Sequence, residues 1–325
     1  ATPTDIIYPY EAGYSVQKQN LNSDQVSGID GMVRWNDRVN DFNYFVGVNL
    51  TLARQKTINN YGEVFLNGWD QYRWAQTNRW SNVKNGAVWM WETIGVFQTQ
   101  EEIDNYPVNI DGANNVNLRP GDLIFKDVNG DGLIDDYDKR PLGYAATDYD
   151  WDSGNANKNP LLSMGINLGF EYKGIDFAAD FAGGFMNTFI GDWHVKYGIG
   201  TDQMGYVYNV IDSWQHEDIF DTKSPWKRGK FPAVRSNNPS IRDWNDFYAK
   251  EINYLRLRNL VVGYTLPIKW TKKALIQKLR VYFEGSNLLC WDSLNDFGFD
   301  PEISSVTGFD YPQHKVYTVG VNVTF

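Results

Sequence analysis

The sequence has no long apolar segments. No stretch reaches the roughly 18 consecutive apolar residues of a membrane-spanning helix, and the mean hydropathy is low. These features exclude a transmembrane helix within the chain. They are compatible with a transmembrane β-barrel, because its strands alternate apolar and polar residues and average to a hydrophilic composition.

Cysteine and histidine are also scarce. The single cysteine, Cys290, excludes a disulfide or a cysteine metal site within the chain, and its apolar surroundings predict a buried, unreactive thiol. The three histidines, His194, His216 and His314, show no paired ligand spacing, and neither a G-x-S-x-G nor an H-E-x-x-H motif occurs. The sequence therefore gives no support for an enzyme.

Basic residues are outnumbered by acidic ones. The formal charge of −10 would repel the phosphates of a nucleic acid, so we expect no nucleic-acid partner. The same charge favours cations as ligands. The opening ATPTDIIYPY has neither the basic start nor the apolar stretch of a secretion signal. Either the chain is cytoplasmic, or Ala1 is not the start of the gene product.

Several segments alternate apolar with small or polar residues at the period of a β-strand. In LLSMGINLGFEY, for example, the large apolar side chains fall on one face and Ser, Gly, Asn and Glu on the other. A tight turn at Lys173-Gly174 joins this segment to the next. We predict an all-β chain with about seven antiparallel strands, near residues 26–36, 42–54, 161–172, 175–187, 251–265, 278–289 and 315–325.

The predicted connections alternate strictly between short and long. The long ones cover residues 55–160, 184–250 and 290–314, which is typical of an outer-membrane barrel with short periplasmic turns and long extracellular loops. Asp176 and Asp180 then lie on the lumen-facing side of a strand rather than forming a catalytic pair. Seven strands would leave two unpaired edges in lipid, so we expect them to pair with the remaining N-terminal part of the same barrel.

The segment KDVNGDGLIDDYDK spaces its oxygen ligands as a calcium-binding loop does. Position 6 is Gly132, which allows the sharp turn, while position 12 carries aspartate where such loops have a bidentate glutamate, so magnesium stays open beside calcium. Without flanking helices, we expect the ion to stiffen a loop rather than to switch it. The predicted ligands at 127–138 are Asp127, Asn129, Asp131, Leu133 through its carbonyl, Asp135 and Asp138.

Seven motifs in a fixed order give the chain a family resemblance. They include GVFQTQEEI (95–103), RPGDLIFKDVNGDGLIDDYDKRPLG (119–143), INYLRLRNLVVGYTLP (252–267), DPE (300–302) and the terminal YTVGVNVTF. From about residue 26 onward, the chain resembles the C-terminal part of the SusC/RagA-like TonB-dependent outer-membrane transporters of Bacteroidetes. The plug domain of that family has no counterpart in this sequence.

The resemblance implies a location in the bacterial outer membrane and a role in importing glycans or peptides. It further implies a SusD-like surface lipoprotein that closes the barrel from outside, and TonB, which acts through the part that this sequence lacks. The terminal Phe325 resembles the signal read by the barrel insertase. The alternatives are a secreted, calcium-stabilised carbohydrate-binding module and a fragment of an extracellular glycan hydrolase.

Aromatic residues are abundant, at 16 % of the chain, and many fall in the first long connection. Such rings can stack on sugars, contact a peptide, pack against a lipoprotein or pack within the loop itself. The candidates for contact with substrate or lipoprotein are Trp69, Tyr72, Trp74, Trp80, Trp89 and Trp91.

Overall fold

The structure is a computed structural model. It describes residues 2–6, 13, 17–62, 64–74, 80–81, 87–144, 149–150, 155–156, 160–190, 211–233, 235, 238–239, 245–294, 300–302 and 313–325. No helix among these residues is long and apolar enough to cross a membrane.

The described elements are mainly strands. In chain order they are β1 (Thr2–Thr4), β2 (Gln19–Val39), β3 (Phe42–Asn59), β4 (Trp80–Ser81), β5 (Ala87–Met90), β6 (Thr93–Val96), β7 (Leu123–Phe125), β8 (Arg140–Tyr144), β9 (Tyr149–Asp150), β10 (Asn155–Ala156), β11 (Leu162–Tyr172), β12 (Ile175–Ile190), β13 (Gln215–His216), β14 (Trp226–Lys227), β15 (Ala249–Thr265), β16 (Lys278–Asp292) and β17 (Val316–Thr324). The α-helices are α1 (Gly68–Trp74), α2 (Gln100–Asp104) and α3 (Ile268–Thr271), and short 3₁₀ turns cover Asp136–Asp138 and Lys272–Ala274.

One antiparallel sheet contains all seven long strands. Its order is β1-β2-β3-β11-β12-β15-β16-β17, with β4 paired to β3. Each predicted strand lies in this sheet, but β2 begins at Gln19 rather than near residue 26. The additional stretch, QNLNSDQ, is polar except for Leu21, so alternation could not reveal it.

One face of the sheet is apolar and exposed. From β3 to β17, the register aligns side chains from neighbouring strands into rows that carry no charge. One row runs through Tyr44, Phe170, Phe177, Val262, Phe283 and Val319. A second row runs through Phe42, Tyr172, Ile175, Tyr264, Val281 and Val321. Val33 is 75 % exposed and Val319 is 76 % exposed, so this face has the composition of a surface that contacts lipid.

The opposite face is polar. A comparable row runs through Arg34, Gly47, Asn167, Asp180, Asn259 and Ser286. Asn167 donates a 2.7 Å hydrogen bond to Asp180, and Arg280 forms an ion pair with Asp176. Both aspartates therefore take part in cross-strand polar contacts of the face that we predicted to line a lumen.

Glycines on the polar face lie beneath side chains of the neighbouring strand. A Cβ atom on Gly169 would lie 2.7 Å from the ring of Phe45, and one on Gly165 would collide with the amide of Asn49. These glycines let the covering side chains lie flat against the sheet. The polar face is therefore smoother than its composition suggests.

A folded unit of residues 87–144, which we call the loop unit, occupies the middle of the connection between β3 and β11. Strand β5 pairs with β8 and β6 pairs with β7. Its core is continuous with residues of the two other long connections and of β15. The buried residues are Trp91, Phe97, Ile103, Ile110, Leu118, Leu123, Phe125, Ile134, Phe231, Tyr248, Ile252 and Leu294.

A buried ion pair also joins two of the long connections. Both oxygens of Asp122, which is fully buried, accept hydrogen bonds from the guanidinium of Arg235, at 2.8 and 2.6 Å. Arg235 donates a further bond to the carbonyl of Asn117. Beside this pair, Gly121 adopts φ +94° and packs so closely under Trp214 that a Cβ atom would lie 2.5 Å from that side chain.

The two faces make opposite predictions for an introduced charge. Val48→Arg places a guanidinium on the apolar face and is expected to cost about 2–4 kcal/mol near the bilayer midplane. Asn167→Arg, which places the same charge on the polar face one residue after Ile166, the register partner of Val48, should be tolerated. The measurement is the fraction of protein that assembles in the outer membrane and shows heat-dependent migration on gels. Equal assembly of the two variants would contradict the assigned faces.

The ion pair predicts a specific weakness. Asp122→Asn leaves the Arg235 guanidinium without its carboxylate partner, and loss of one member of a buried pair costs about 3–5 kcal/mol. We expect faster protease cleavage of the long connections on intact cells. The exposed Asp104→Asn, which removes the same charge, is the control. Unchanged cleavage in the Asp122 variant would show that the pair does not hold the connections together.

Candidate functional site

The predicted metal loop, residues 127–138, is a closed turn held by its own acidic side chains. Gly130 and Gly132 adopt φ values of +77° and +83°, which reverse the chain twice. Asp127 accepts hydrogen bonds from the backbone N–H groups of both glycines, at 2.7 and 2.9 Å. Asp131 accepts one from the N–H of Leu133 at 2.9 Å. The first half of the loop is thus wound around Asp127.

Asp138 closes the second half of the loop. It is fully buried and accepts hydrogen bonds from the N–H groups of Val128 and Asp135, each at 2.8 Å. Burial raises the pKa of its carboxyl, and the charge of Asp127 adds to that increase. The side chain at position 12 is therefore fixed by the backbone on both sides of the loop.

Neighbouring segments support the loop from outside. Asn109 donates from its N–H to the carbonyl of Gly132 at 2.8 Å and accepts from the N–H of Ile134 at 3.0 Å. The indole N–H of Trp91 donates to the carbonyl of Asp135 at 2.8 Å. The loop is therefore an integral part of the loop unit, and its edge lies against the buried core.

The donor chemistry of the loop suits a hard divalent cation, since carboxylate, amide and carbonyl oxygens are the ligands that calcium and magnesium prefer. The structure brings Asp127 and Asp138 near each other. Among the described residues, however, no three His, Cys, Asp or Glu side chains converge in a way that could hold a metal ion. The predicted ligand set is thus brought into one loop but not into a preformed cluster of three acidic groups.

The aromatic candidates separate into two groups. The side chains of Tyr72, Trp74 and Trp80 lie outside the described residues. Trp69 packs edge-on against Trp89, with ring centroids 6.1 Å apart, and tilts against Tyr137 of the metal loop at 5.9 Å. Trp89 is 9 % exposed. These two rings support the loop unit from the side of α1.

Trp91 is not available to a substrate. It is 2 % exposed, packs against Phe125 with a centroid separation of 5.1 Å, and has Lys139 above its ring at 5.5 Å. The prediction that it contacts substrate or lipoprotein is wrong, because its face belongs to the hydrophobic core. For this residue the packing alternative holds.

Sequence reasoning missed an ion network between β15 and the DPE motif. Arg256 contacts Asp300 at 2.6 Å and Glu302 at 2.7 Å, and Arg258 pairs with Glu302. Arg258 also donates to Gln313 at 3.1 Å, just before β17. The motif order RLR followed by DPE was visible in the sequence, but only the fold brings the two motifs together.

The remaining single residues have separate outcomes. Cys290 is partly rather than fully buried, because it lies in β16 opposite Arg256 instead of inside a core. His216 packs on Trp226 and His314 lies near Asn287, whereas His194 lies outside the described residues. Phe325 follows β17 and is 78 % exposed, so its role as an assembly signal stays a prediction.

Curated relatives resemble almost the whole chain. It is 25 % identical over 344 residues to the TonB-dependent receptor P3 of Formosa agariphila, a match that covers 98 % of the chain and 30 % of that relative. The TonB-dependent receptor P26 of the same organism is 24 % identical over 341 residues, covering 99 % and 31 %. No family model matches the sequence. The chain spans about 30 % of the length of these relatives.

Solved structures share the fold. The RagAB peptide importer in its open-open state superposes with a TM-score of 0.63 and 20 % identity, over 99 % of the chain and 31 % of the matched chain. A second structure of the RagAB peptide transporter gives 0.58 and 21 %. The antiparallel sheet is therefore part of a large barrel, as the alternation predicted.

The two-faced sheet, the ordered motifs and both sets of similarities lead to the same conclusion. The expected location in the bacterial outer membrane is confirmed, and the chain is similar to TonB-dependent receptors over almost its whole length and shares the fold of part of the RagAB barrel, which is consistent with the expected SusC/RagA-like resemblance.

Proposed function

We propose that the chain forms part of the wall and the extracellular loops of a transporter that imports glycans or peptides across the outer membrane. Import is driven through TonB, and a SusD-like surface lipoprotein covers the outer opening. The protein does not transform its cargo chemically. Its work is binding, exclusion of other solutes and gated passage.

The observation that carries this proposal is the contrast between the two faces of one sheet. Uncharged rows cross six strands on the exposed face, while Arg34, Asn167, Asp180 and Asn259 occupy the other. A barrel wall between lipid and a polar lumen needs this arrangement. If the chain were a secreted carbohydrate-binding module, this broad apolar face would be exposed to water, which is rare in soluble monomers.

The long connections give the wall its outer structure. The loop unit has its own core, and this core continues into Phe231, Tyr248 and Leu294 of the two other long connections. Loops built in this way are rigid enough to present a fixed surface to a cargo or a lipoprotein. The RagAB structures are of a peptide importer, which favours peptides as the first cargo class to test.

Uptake by the full-length transporter tests this function. We expect cells that carry it to accumulate labelled oligopeptides or oligosaccharides, and accumulation should stop when TonB is deleted or the proton gradient is collapsed. Parallel assays with a peptide mixture and a glycan mixture identify the cargo class. Uptake that persists without TonB, or no uptake of either class, would contradict the proposal.

We further propose that residues 127–138 bind one calcium ion, with magnesium as a weaker competitor. The support is the twelve-residue spacing of oxygen donors, the two glycine turns and the proximity of Asp127 to Asp138. An ion there would neutralise two neighbouring carboxylates, one of them buried. It would stiffen the edge of the loop unit that contacts Trp91.

Calcium binding is expected to raise the unfolding temperature of the purified transporter and to depend on Asp127. Asp127→Asn should weaken binding at least tenfold, because it removes a charged ligand at position 1. Asp136→Asn is the matched control, since Asp136 carries the same charge but lies outside the ligand positions. Elemental analysis and thermal unfolding with and without a chelator provide the measurements. Equal calcium content in both variants would rule out the proposed ligand set.

A further inference from the structure

The connection between β15 and β16 is basic, whereas the chain as a whole is acidic. We call residues 266–277 the basic turn; they contain α3 and the 3₁₀ turn at Lys272–Ala274. Their sequence, LPIKWTKKALIQ, has three lysines and no acidic residue, although the formal charge of the chain is −10. Lys269, Lys272 and Lys273 are exposed and form no ion pair within the described part of the chain. Their positive charges are therefore available to a partner.

Large apolar side chains of the basic turn are exposed among these lysines. Ile268 is 58 % exposed, Trp270 is 68 % exposed and Leu275 is 82 % exposed. Tryptophan beside lysine is a composition that proteins place at a membrane–water interface, where the ring enters the headgroup region and the ammonium groups stay in water. The basic turn thus offers both an apolar and a cationic surface.

Backbone hydrogen bonds fix the basic turn at the end of the wall. The N–H of Leu266 donates to the carbonyl of Leu279 at 2.9 Å, and the N–H of Gln277 donates to the carbonyl of Thr324 at 2.8 Å. The two strands that it joins are already paired on both sides, β15 with β12 and β16 with β17. The remaining N-terminal part of the barrel is expected to pair at the outer edges of the sheet, and therefore not at this turn.

Aromatic residues of the apolar face indicate the depth of the basic turn in the membrane. Phe42, Tyr172 and Tyr264 lie in one row, and girdles of aromatic residues mark the boundaries of the hydrocarbon in membrane barrels. Pro267 lies three residues beyond Tyr264, which is about 8 Å along the membrane normal for a tilted strand. The headgroup region is about 5–8 Å thick on each side of the hydrocarbon. The basic turn therefore lies at the level of the lipid headgroups.

Side and charge restrict what can cover the basic turn. A polypeptide that fills the lumen would contact the polar face of the wall, whereas Leu266 and Leu279 continue the apolar face beyond Tyr264 and Val281 at the strand period. The connection is short, so it belongs to the periplasmic end, where the leaflet of the outer membrane consists of phospholipids. Lysines without acidic neighbours favour phospholipids that carry a net negative charge.

We propose that the basic turn binds the phosphate groups of anionic phospholipids in the inner leaflet of the outer membrane. Lys269, Lys272 and Lys273 contact the phosphates, and Trp270 inserts between the headgroups and the adjoining acyl chains. The attraction adds up over neighbouring lysines, and salt weakens it. This inference does not depend on import, since it requires only that the sheet span the membrane.

Lipid retention by the full-length transporter tests the site. The protein is equilibrated in detergent micelles with equal amounts of phosphatidylglycerol and phosphatidylcholine, and the lipid that remains after washing is measured by mass spectrometry. We expect phosphatidylglycerol to be retained in preference to phosphatidylcholine, and added salt should reduce that preference. Equal retention of the two lipids would overturn the inference, while the proposed function would stand.

Matched variants assign the preference to the basic turn. The Lys269→Gln, Lys272→Gln, Lys273→Gln variant should show an at least threefold smaller preference for phosphatidylglycerol. The control removes three positive charges from exposed residues of the connection between β12 and β15, and it should keep the preference: Lys223→Gln, Lys227→Gln and Arg228→Gln. Heat-dependent migration on gels checks that each variant assembles. A preference that both variants keep, or that both lose, would contradict the assigned site.

Photo-crosslinking in cells identifies what covers the basic turn. With p-benzoylphenylalanine in place of Trp270 in the full-length transporter, illumination should attach a phospholipid, which is detected by the mass of the adduct. The same probe at Val116, which is 76 % exposed on the loop unit, is the control and should attach none. An adduct of the first probe with another part of the transporter or with a second protein, or no adduct, would show that the membrane does not cover the turn.

Discussion

Backbone hydrogen bonding in hydrocarbon is the constraint on which this structure depends. A membrane offers no water to unpaired amides, so each strand of the wall must pair along its length with two neighbours. In the described sheet, the strands from β3 to β16 meet this requirement, and they also have the length that a tilted crossing needs. The period of two then sorts side chains between lipid and lumen, which explains why valine and phenylalanine occupy the exposed side.

Where the strands leave the membrane, the chain folds under a different constraint. Water is available there, so the long connections fold as a small globular protein does, around buried aromatic and aliphatic residues. Trp91, Phe125 and Leu123 are almost fully buried, although they belong to a connection rather than to the sheet. The sheet and the core of the connections meet at Ile252, which lies in β15 and also packs in that core.

The sequence predicted the wall well, because strand alternation is a local property. It predicted the connections poorly, because their contacts join distant residues. Nothing near Trp91 indicates that it faces Phe125, and nothing near Asp122 indicates a partner at Arg235. The polar start of β2 escaped detection for a different reason, since pairing with β1 and β3 rather than side-chain alternation defines it. The spacing of acidic residues at 127–138 did predict a compact turn, because its hydrogen bonds are local.

The glycines beneath Phe45 and Asn49 bear on how much material the barrel can pass. A barrel's circumference is set by its number of strands, but the free cross-section is what remains after inward side chains are subtracted. Where a ring lies flat over Gly169, it takes little of that space. Any larger residue at that position would lift the ring toward the axis. Glycine in the wall thus enlarges the usable bore without adding a strand.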